Sequence, residues 1–212
     1  NIQNLKNSLT LLPDFNSQSL IASFLDKKCA EFDGIIEKKE AIISKLEEAK
    51  KSLISEVVTG KVKIENGKLI PRKEEEMKES GIEWIGKIPE EWDRTKLKNL
   101  VKIKITDGPH ESPEFIDEGI PFLSAESIVN SKLSFGNKRG YISEEQHRIY
   151  EQKSKVILND ILFCKSGSTT GKSALVETTD NFGIWSPLAI IRANEKIYYK
   201  NLFYFMQSTI FR

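Results

Sequence analysis

Residues 19–58, SLIASFLDKKCAEFDGIIEKKEAIISKLEEAKKSLISEVV, decide the fold. Steps of alternately four and three residues from Ile21 to Leu53 meet apolar side chains at eight of ten positions. The other two positions are Lys28 and Lys39, whose methylene stems can lie along an apolar seam. The apolar seam residues are Ile21, Leu25, Phe32, Ile35, Ile42, Leu46, Ala49 and Leu53.

This spacing predicts a long helix over residues 17–60 that pairs with another helix. At a rise of about 1.5 Å per residue, roughly 40 residues extend about 60 Å. Glu, Lys and Ser residues fill the outside of the helix, so the apolar stripe is narrow and cannot bury itself. We therefore expect a coiled coil, with Asn16 or Ser17 as N-cap and Thr59-Gly60 as its end.

The composition leaves room for one globular domain beside the helix. The 212 residues are 39% hydrophobic and 30% charged with a net charge of +1, so a basic surface requires local clustering. The sequence contains no run of about 18 apolar residues and no signal-peptide pattern. Cys29 and Cys164 show no metal-ligand spacing, which favours a reducing, cytoplasmic setting and no cofactor.

Short-range signals divide the sequence before residue 81. Residues 1–16 contain an apolar run, Leu9 to Leu12, that we expect to form a short strand ended by Pro13. Asn66-Gly67 lies between two apolar runs and predicts a β-hairpin. Residues 73–80 are strongly charged and are expected to be a solvated linker, which completes a segment 61–80 of hairpin and linker.

Residues 81–212 have the composition of a separate mixed α/β domain, opened by a cluster of two tryptophans and a proline. We predict a short helix capped by Ser143, with His147 exposed on it, and an aromatic helix over 199–207. The predicted strands lie at residues 100–105, 174–176 and 188–192, and in two runs within 155–164 split by a turn at Asn159-Asp160. The predicted fold class is α+β, a long coiled-coil-forming helix joined to a mixed α/β domain.

Residues 166–173, SGSTTGKS, are similar to a phosphate-binding P-loop but do not meet its requirements. A P-loop has four residues between its glycines, whereas three separate Gly167 from Gly171. Residues 174–179 are typical of a strand, and a P-loop must open a helix. We therefore expect a strand–loop–strand hairpin whose tip presents hydroxyls and two lysines, and no nucleotide hydrolysis.

No catalytic residue set is visible elsewhere in the sequence. His110 lies in a proline-flanked loop beside two acids, but no cysteine or second histidine stands at ligand spacing. The sequence has no nucleophile–base pair, no HExxH and no dinucleotide fingerprint. A rigid loop with polar tips is the simpler interpretation, and the chain is expected to be non-catalytic.

Four stretches resemble the specificity subunits of type I restriction–modification systems. The helix from Ile21, with its exit at residues 51–62, resembles that family's spacer helix. Residues 77–92, MKESGIEWIGKIPEEW, resemble the entry to a target recognition domain. The other stretches are TDGPH (106–110) with GIPFL (119–123), and NDILF (159–163) with SGSTTGK (166–172).

The resemblance implies a subunit that recognises double-stranded DNA and scaffolds methyltransferase subunits, with an endonuclease subunit joining the complex. In that family each recognition domain reads one half of a split target, and paired helices set the distance between the halves. A full member has two recognition domains and two helices. This chain has one helix, a nearly complete domain at 81–212, and at residues 1–16 a segment that resembles the end of such a domain.

Two explanations of this arrangement stay open. The chain is either an excised middle piece of a longer subunit or a circularly permuted half-subunit. In the second case we expect two copies to pair through the long helix as a two-fold homodimer. An alternative of a different class is a coiled-coil protein-interaction module without DNA binding, and a third, a small kinase-like enzyme, would require nucleotide binding.

Under the resemblance, DNA contacts come from loops that carry lysines, hydroxyls and side chains able to donate and accept in the major groove. Four of the basic residues, at 102, 104, 138 and 139, are expected to contact phosphates. The full set of expected DNA-binding residues is Lys102, Lys104, Asp107, His110, Ser112, Lys138, Arg139, Lys165, Ser166, Ser168, Thr169, Thr170 and Lys172.

Overall fold

The computed structural model describes residues 2–211, so that the outermost residues of the predicted segments 1–16 and 81–212 lie outside the described part. The chain divides into two compact units, Asn1–Ala49 and Lys50–Arg212. The helices of the described residues are α1 (Ile2–Lys6), α2 (Phe15–Val58), α3 (Glu144–Ser154) and α4 (Tyr199–Gln207). The predicted long helix is confirmed, and with the strands described below the fold class is α+β.

Short strands make up most of the second unit. In chain order they are β1 (Val62–Glu65), β2 (Lys68–Pro71), β3 (Met77–Glu79), β4 (Lys87–Pro89), β5 (Thr106–Asp107), β6 (Ile120–Leu123), β7 (Ile128–Val129), β8 (Lys132–Leu133), β9 (Gly140–Ile142), β10 (Ile161–Cys164), β11 (Ser173–Leu175), β12 (Gly183–Ile184) and β13 (Leu188–Ile191). One sheet has the order β11-β10-β13-β5 and is antiparallel throughout. Another has the order β12-β6-β9, in which β12 runs parallel to β6. The pairs β1–β2, β3–β4 and β7–β8 complete the topology.

Local contacts explain where α2 begins and where it ends. At its start, Asp14 accepts a hydrogen bond from the backbone N–H of Ser17 at 3.0 Å, so Asp14 is the capping side chain instead of the predicted Asn16 or Ser17. At its end, Gly60 has φ +73°, which confirms the predicted stop. A Cβ on Gly60 would lie 2.3 Å from Cγ of Pro89, so the close approach of the two segments requires glycine.

The strands at the centre of the second unit are buried on both faces. Because successive side chains of a strand point to opposite faces, Leu162 and Ile161 enter different apolar clusters. Leu162 packs with Ile184, Leu188 and other side chains on one face. On the opposite face Ile161 packs with side chains of α4, including the fully buried Leu202. The aromatic helix predicted at 199–207 is thus confirmed as a core element.

A buried ion pair joins β10 to the end of β13. Asp160 is fully buried, and its two carboxylate oxygens accept from Nε and Nη2 of Arg192 at 2.7 and 2.8 Å. The backbone N–H of Ile157 donates to the same carboxylate at 2.8 Å. The hydrogen bonds to Asp160 raise the pKa of Arg192. The predicted Asn159-Asp160 turn is confirmed, with Asn159 in the left-handed region.

Three predicted strands are wrong. Residues 155–158, the first of the two runs predicted within 155–164, form no strand, and β10 begins only at Ile161. Residues 8–14 adopt neither helix nor strand, and Leu9, Leu11 and Leu12 are exposed, because among the described residues no strand pairs with this run. Residues 100–105 form only an isolated bridge between Val101 and Ala193 before β5 begins. The bridge and the β5–β13 ladder differ in register by two residues, so the chain bulges between them.

Two further expectations need correction. Residues 73–80 are not a plain linker, because β3 pairs with β4 through backbone hydrogen bonds that do not require apolar side chains. His147 is 8% exposed and lies on the buried side of α3, one turn from the buried Tyr150. The helix itself and its Ser143 cap, which accepts from the N–H of Gln146, are confirmed.

Candidate nucleic-acid interface

Three basic side chains, some predicted from the sequence and one not, converge on the carboxylate of Asp107. Lys153 at the end of α3 donates to Oδ1 at 2.7 Å, Lys165 beside the β10–β11 loop lies 3.0 Å from Oδ2, and His110 lies 2.9 Å from Oδ2. These four residues are referred to as the Asp107 cluster. Asp107 itself is held in β5 opposite Ala189, so the cluster is fixed to the four-stranded sheet.

The charges of the Asp107 cluster leave a surplus of positive charge. Burial opposes ionisation of Asp107, but hydrogen bonds from Lys153, Lys165 and His110 outweigh it and hold the pKa of Asp107 far below its ordinary value of 3.8. The carboxylate is therefore ionised at neutral pH and balances one of the two lysines. The side chain of Lys153 is 55% exposed and that of Lys165 is 37% exposed, so a ligand can reach both side chains.

A second group of charged side chains lies next to β6, the central strand of the three-stranded sheet. Arg139 lies with its guanidinium carbon 4.7 Å from the centroid of the Trp185 ring, and its Nε lies 2.9 Å from Oε1 of Glu126. We refer to Arg139, Trp185 and Glu126 as the arginine stack. Just before Arg139, the ammonium group of Lys138 lies 4.7 Å from the ring centroid of Tyr141.

The segment after β12 links the arginine stack to the Asp107 cluster. Trp185 donates from its indole N–H to the carbonyl of Glu111 at 3.1 Å, and Ser186 N–H donates to the carbonyl of Pro109 at 3.2 Å. Lys165 N–H donates to the carbonyl of Pro187 at 2.9 Å. The loop after β5, the arginine stack and the start of the β10–β11 loop therefore form one continuous region.

Glycine is required where this loop passes β12. A Cβ on Gly108 would lie 2.0 Å from the carbonyl oxygen of Ile184, so the two backbones approach closely there. Ser112 lies further along the loop and is exposed. The loop therefore passes close to β12 directly after Asp107.

The β10–β11 loop is a hairpin tip, and its strands confirm the strand–loop–strand prediction. Lys172, Ser166 and Ser168 are exposed there. The hydroxyl of Thr170 donates to the carbonyl of Gly167 at 2.7 Å, and that of Thr169 lies 3.2 Å from Sγ of Cys164. The two threonine hydroxyls therefore order the loop, while the serines and Lys172 remain available at its surface.

Two predicted contacts lie apart from this region. Lys102 donates its backbone N–H to Arg192, just beyond one end of β13, whereas Asp107 pairs near the other end of that strand. Lys104 is exposed in the bulge that follows Lys102. The structure thus brings together Asp107, His110, Arg139 and Lys165 but not the two lysines of the bulge.

Sequence reasoning missed two members of the region, Lys153 and Trp185. Lys153 is one of several charged residues on α3, and it meets Asp107 across 46 residues of sequence. Trp185 stands in an apolar stretch where a core position is the natural expectation. Only the tertiary fold places these two side chains beside the predicted ones.

His147 does not contribute to this region. Burial lowers the pKa of His147, with Glu151 acting in the opposite direction, so the ring is neutral at neutral pH. Residues 2–211 contain no group of three or more acidic, histidine or cysteine side chains placed to hold a metal ion. In the same range no helix combines the length and apolar character needed to cross a membrane.

Comparison with known proteins agrees with the resemblance described for the sequence. The specificity subunit of the type I restriction enzyme EcoBI from Escherichia coli is 28% identical over 195 residues, which cover 91% of this chain and 40% of that subunit. The HsdS subunit from Thermoanaerobacter tengcongensis, known from a crystal structure, is 13% identical, with 92% of this chain and 41% of that chain covered and a TM-score of 0.44. No protein-family model matches the chain.

The chain spans less than half the length of the curated relative that it matches. The match nevertheless extends over nearly all of the residues from which the sequence resemblance was inferred. The chain is therefore similar, over nine-tenths of its length, to the specificity subunit of a type I restriction enzyme, which confirms the resemblance found in its sequence.

Proposed function

We propose that this chain is a DNA sequence-recognition and scaffold subunit of a type I restriction–modification complex. In this role it reads one half of a split target and docks methyltransferase subunits. Catalysis belongs to those subunits and to the endonuclease subunit that joins them in the cytoplasm. The observation that carries the proposal is the similarity to a specificity subunit over 91% of the chain.

The Asp107 cluster supports a role in holding the DNA backbone. An ammonium group has three donors, so Lys153 and Lys165 can each keep a hydrogen bond to Asp107 and still donate to a phosphate. Their shared carboxylate fixes their positions before DNA arrives, which lowers the entropy lost on binding. A fixed pair of lysines positions a duplex without reading its sequence.

The seam of α2 supports pairing with a second helix. All eight predicted seam residues are exposed in the single chain, among them Phe32 at 62% and Leu46 at 64%. Burial of such apolar surface contributes roughly 25 cal/mol per Å², so a partner helix would stabilise the assembly. A second copy of the chain is the partner expected for a half-subunit. We also propose the division of the chain that the sequence predicts, which is a closing segment at 1–16, a hairpin and linker at 61–80 and a recognition domain at 81–212.

A protein-interaction module without DNA binding would need the same seam. The curated relative favours the DNA-reading role, because that relative is itself a specificity subunit. The exposed lysines of the Asp107 cluster agree with it as well.

Selection from a random DNA pool tests the proposal. The chain is purified with the methyltransferase subunits of its own system, and bound duplexes are recovered and sequenced over several rounds. We expect enrichment of one motif made of two short specific parts separated by a gap of fixed length. The methyltransferase subunits alone serve as the control and should enrich nothing. Equal recovery of all sequences by the full complex would contradict the proposal.

A further inference from the structure

The backbone of Arg139 is hydrogen-bonded to β6, the central strand of the three-stranded sheet. Its N–H donates to the carbonyl of Phe122 at 2.9 Å, and Trp185 N–H donates to the next carbonyl, that of Leu123, also at 2.9 Å. Phe122 and Leu123 are both fully buried. The backbones of the arginine and the tryptophan are therefore hydrogen-bonded to neighbouring residues of one buried strand.

The guanidinium of Arg139 is also held by its face and by one edge. Its central carbon lies over the Trp185 ring, 4.7 Å from the ring centroid, and the indole N–H of Trp185 donates to the carbonyl of Glu111 at 3.1 Å. The Nε of Arg139 lies 2.9 Å from Oε1 of Glu126, a residue of the turn that follows β6. That turn is tied down by the hydroxyl of Ser127, which donates to the carbonyl of Asn137 at 2.8 Å.

These contacts leave the outer edge of the guanidinium unused. With Nε in an ion-pair contact with Glu126, the outermost donors are those of Nη1 and Nη2, which form a planar fork. The Arg139 side chain retains 46% of its exposure, so a ligand can reach this fork. Two parallel donors in one plane match the O6 and N7 acceptors of guanine in the major groove.

We infer that Arg139 is a specificity-determining residue that reads a guanine base, and not one of the phosphate contacts that the sequence predicts. This inference rests on the proposed function and deepens it. The Trp185 ring and Glu126 act as positioning groups that fix the plane and the direction of the fork. The lysines of the Asp107 cluster then hold the backbone on the same continuous region.

The charge of Arg139 distinguishes this role from a phosphate contact. Glu126 compensates that charge locally, so Arg139 adds little net attraction for the DNA backbone. A phosphate contact accepts lysine in place of arginine, because a point charge is sufficient. A bidentate, stacked site does not, because an ammonium group offers neither the planar fork nor the flat face.

The test uses the complete complex with its methyltransferase subunits and the target that the wild-type complex selects. Dissociation constants are measured for that target and for duplexes in which each base pair of the half-site is replaced in turn. R139K is the main variant, and R139A is a second one that removes the side chain. R148K is the matched control, since Arg148 is an exposed arginine on α3.

For the wild type we expect replacement of one G·C pair to weaken binding about tenfold or more. In R139K and R139A that penalty should fall to less than about twofold, the size of a lost weak contact, while binding to unrelated DNA changes little. R148K should keep every wild-type penalty. If Arg139 only linked Trp185 to Glu126 structurally, R139K and R139A would instead lower the thermal stability or weaken the binding of all duplexes to the same extent.

Two results would overturn the inference, and they differ from each other. If the wild type selects a target but R139K keeps the full penalty at every G·C position, Arg139 does not read a base. If the wild type selects no target at all, the proposed function fails and the inference fails with it.

Discussion

A single carboxylate organises side chains from three separate parts of the chain. Asp107, His110 and Lys165 are each identifiable in the sequence as polar residues on loops. Their common contact cannot be identified in the sequence, because it depends on how β5 and β10 align on β13. Lys153 is invisible for the same reason. Side chains can therefore be selected from local sequence, but their mutual distances are set by sheet register.

Replacement of Asp107 should give a pH-dependent loss of stability. The pKa of Asp107 is lower in the folded protein than its ordinary value of 3.8, so its ionised form stabilises the fold. That contribution is complete above the unfolded pKa and disappears as the pH falls through the folded one. We expect D107N to lose about 1–2 kcal/mol of unfolding free energy between pH 5 and 7, and less below about pH 4.

Urea unfolding of wild type and D107N across this pH range measures the effect. D117N is the control, because Asp117 is an exposed carboxylate on a nearby loop, and its curve should follow the wild type. A D107N difference that stays constant down to pH 3 would rule out the ion pairs as its source.

At the scale of whole elements, local periodicity predicts the helices better than the strands. The seam of α2 and the aromatic stripe of α4 repeat within one turn, so their sequence alone identifies them. The strand β3 carries charged and sulfur-containing side chains and pairs with β4 through its backbone, which leaves no apolar pattern to detect. The run at residues 100–105 has a strand-like pattern but bulges, because its two ends pair with β13 in different registers.

The seam of α2 gives a prediction about helix pairing. An aspartate at Ile42 would place a charge in the seam, where a partner helix would have to desolvate it. Ser44 is in the same turn but outside the seam, so S44D introduces the same residue without that cost. By analytical ultracentrifugation we expect the wild type and S44D at twice the mass of one chain and I42D at the mass of one chain.

Helicity measured by circular dichroism should be similar for the two aspartate variants, because both lie in the middle of one helix. If the wild-type chain has the mass of a single copy, the proposed homodimer is wrong. If I42D still forms a dimer, the seam is not the dimer interface.

At the scale of the whole molecule, the chain corresponds to less than half of the specificity subunit that it resembles. The homodimer proposed through α2 would supply the second recognition domain that a split target requires. Its two-fold symmetry predicts two identical half-sites in opposite orientation. The sequence supplies this hypothesis through its resemblance, whereas the grouping of the residues that we propose to face DNA follows from the three-dimensional arrangement of β5, β6 and β10.

The most direct test of DNA reading is a genome-wide map of methylated bases in cells that express the chain together with the methyltransferase subunits of its system. Our account predicts methylation at the copies of one two-part motif with a fixed gap, and loss of that methylation when the chain is omitted. Methylation that is independent of the chain, or that follows no common motif, would contradict it.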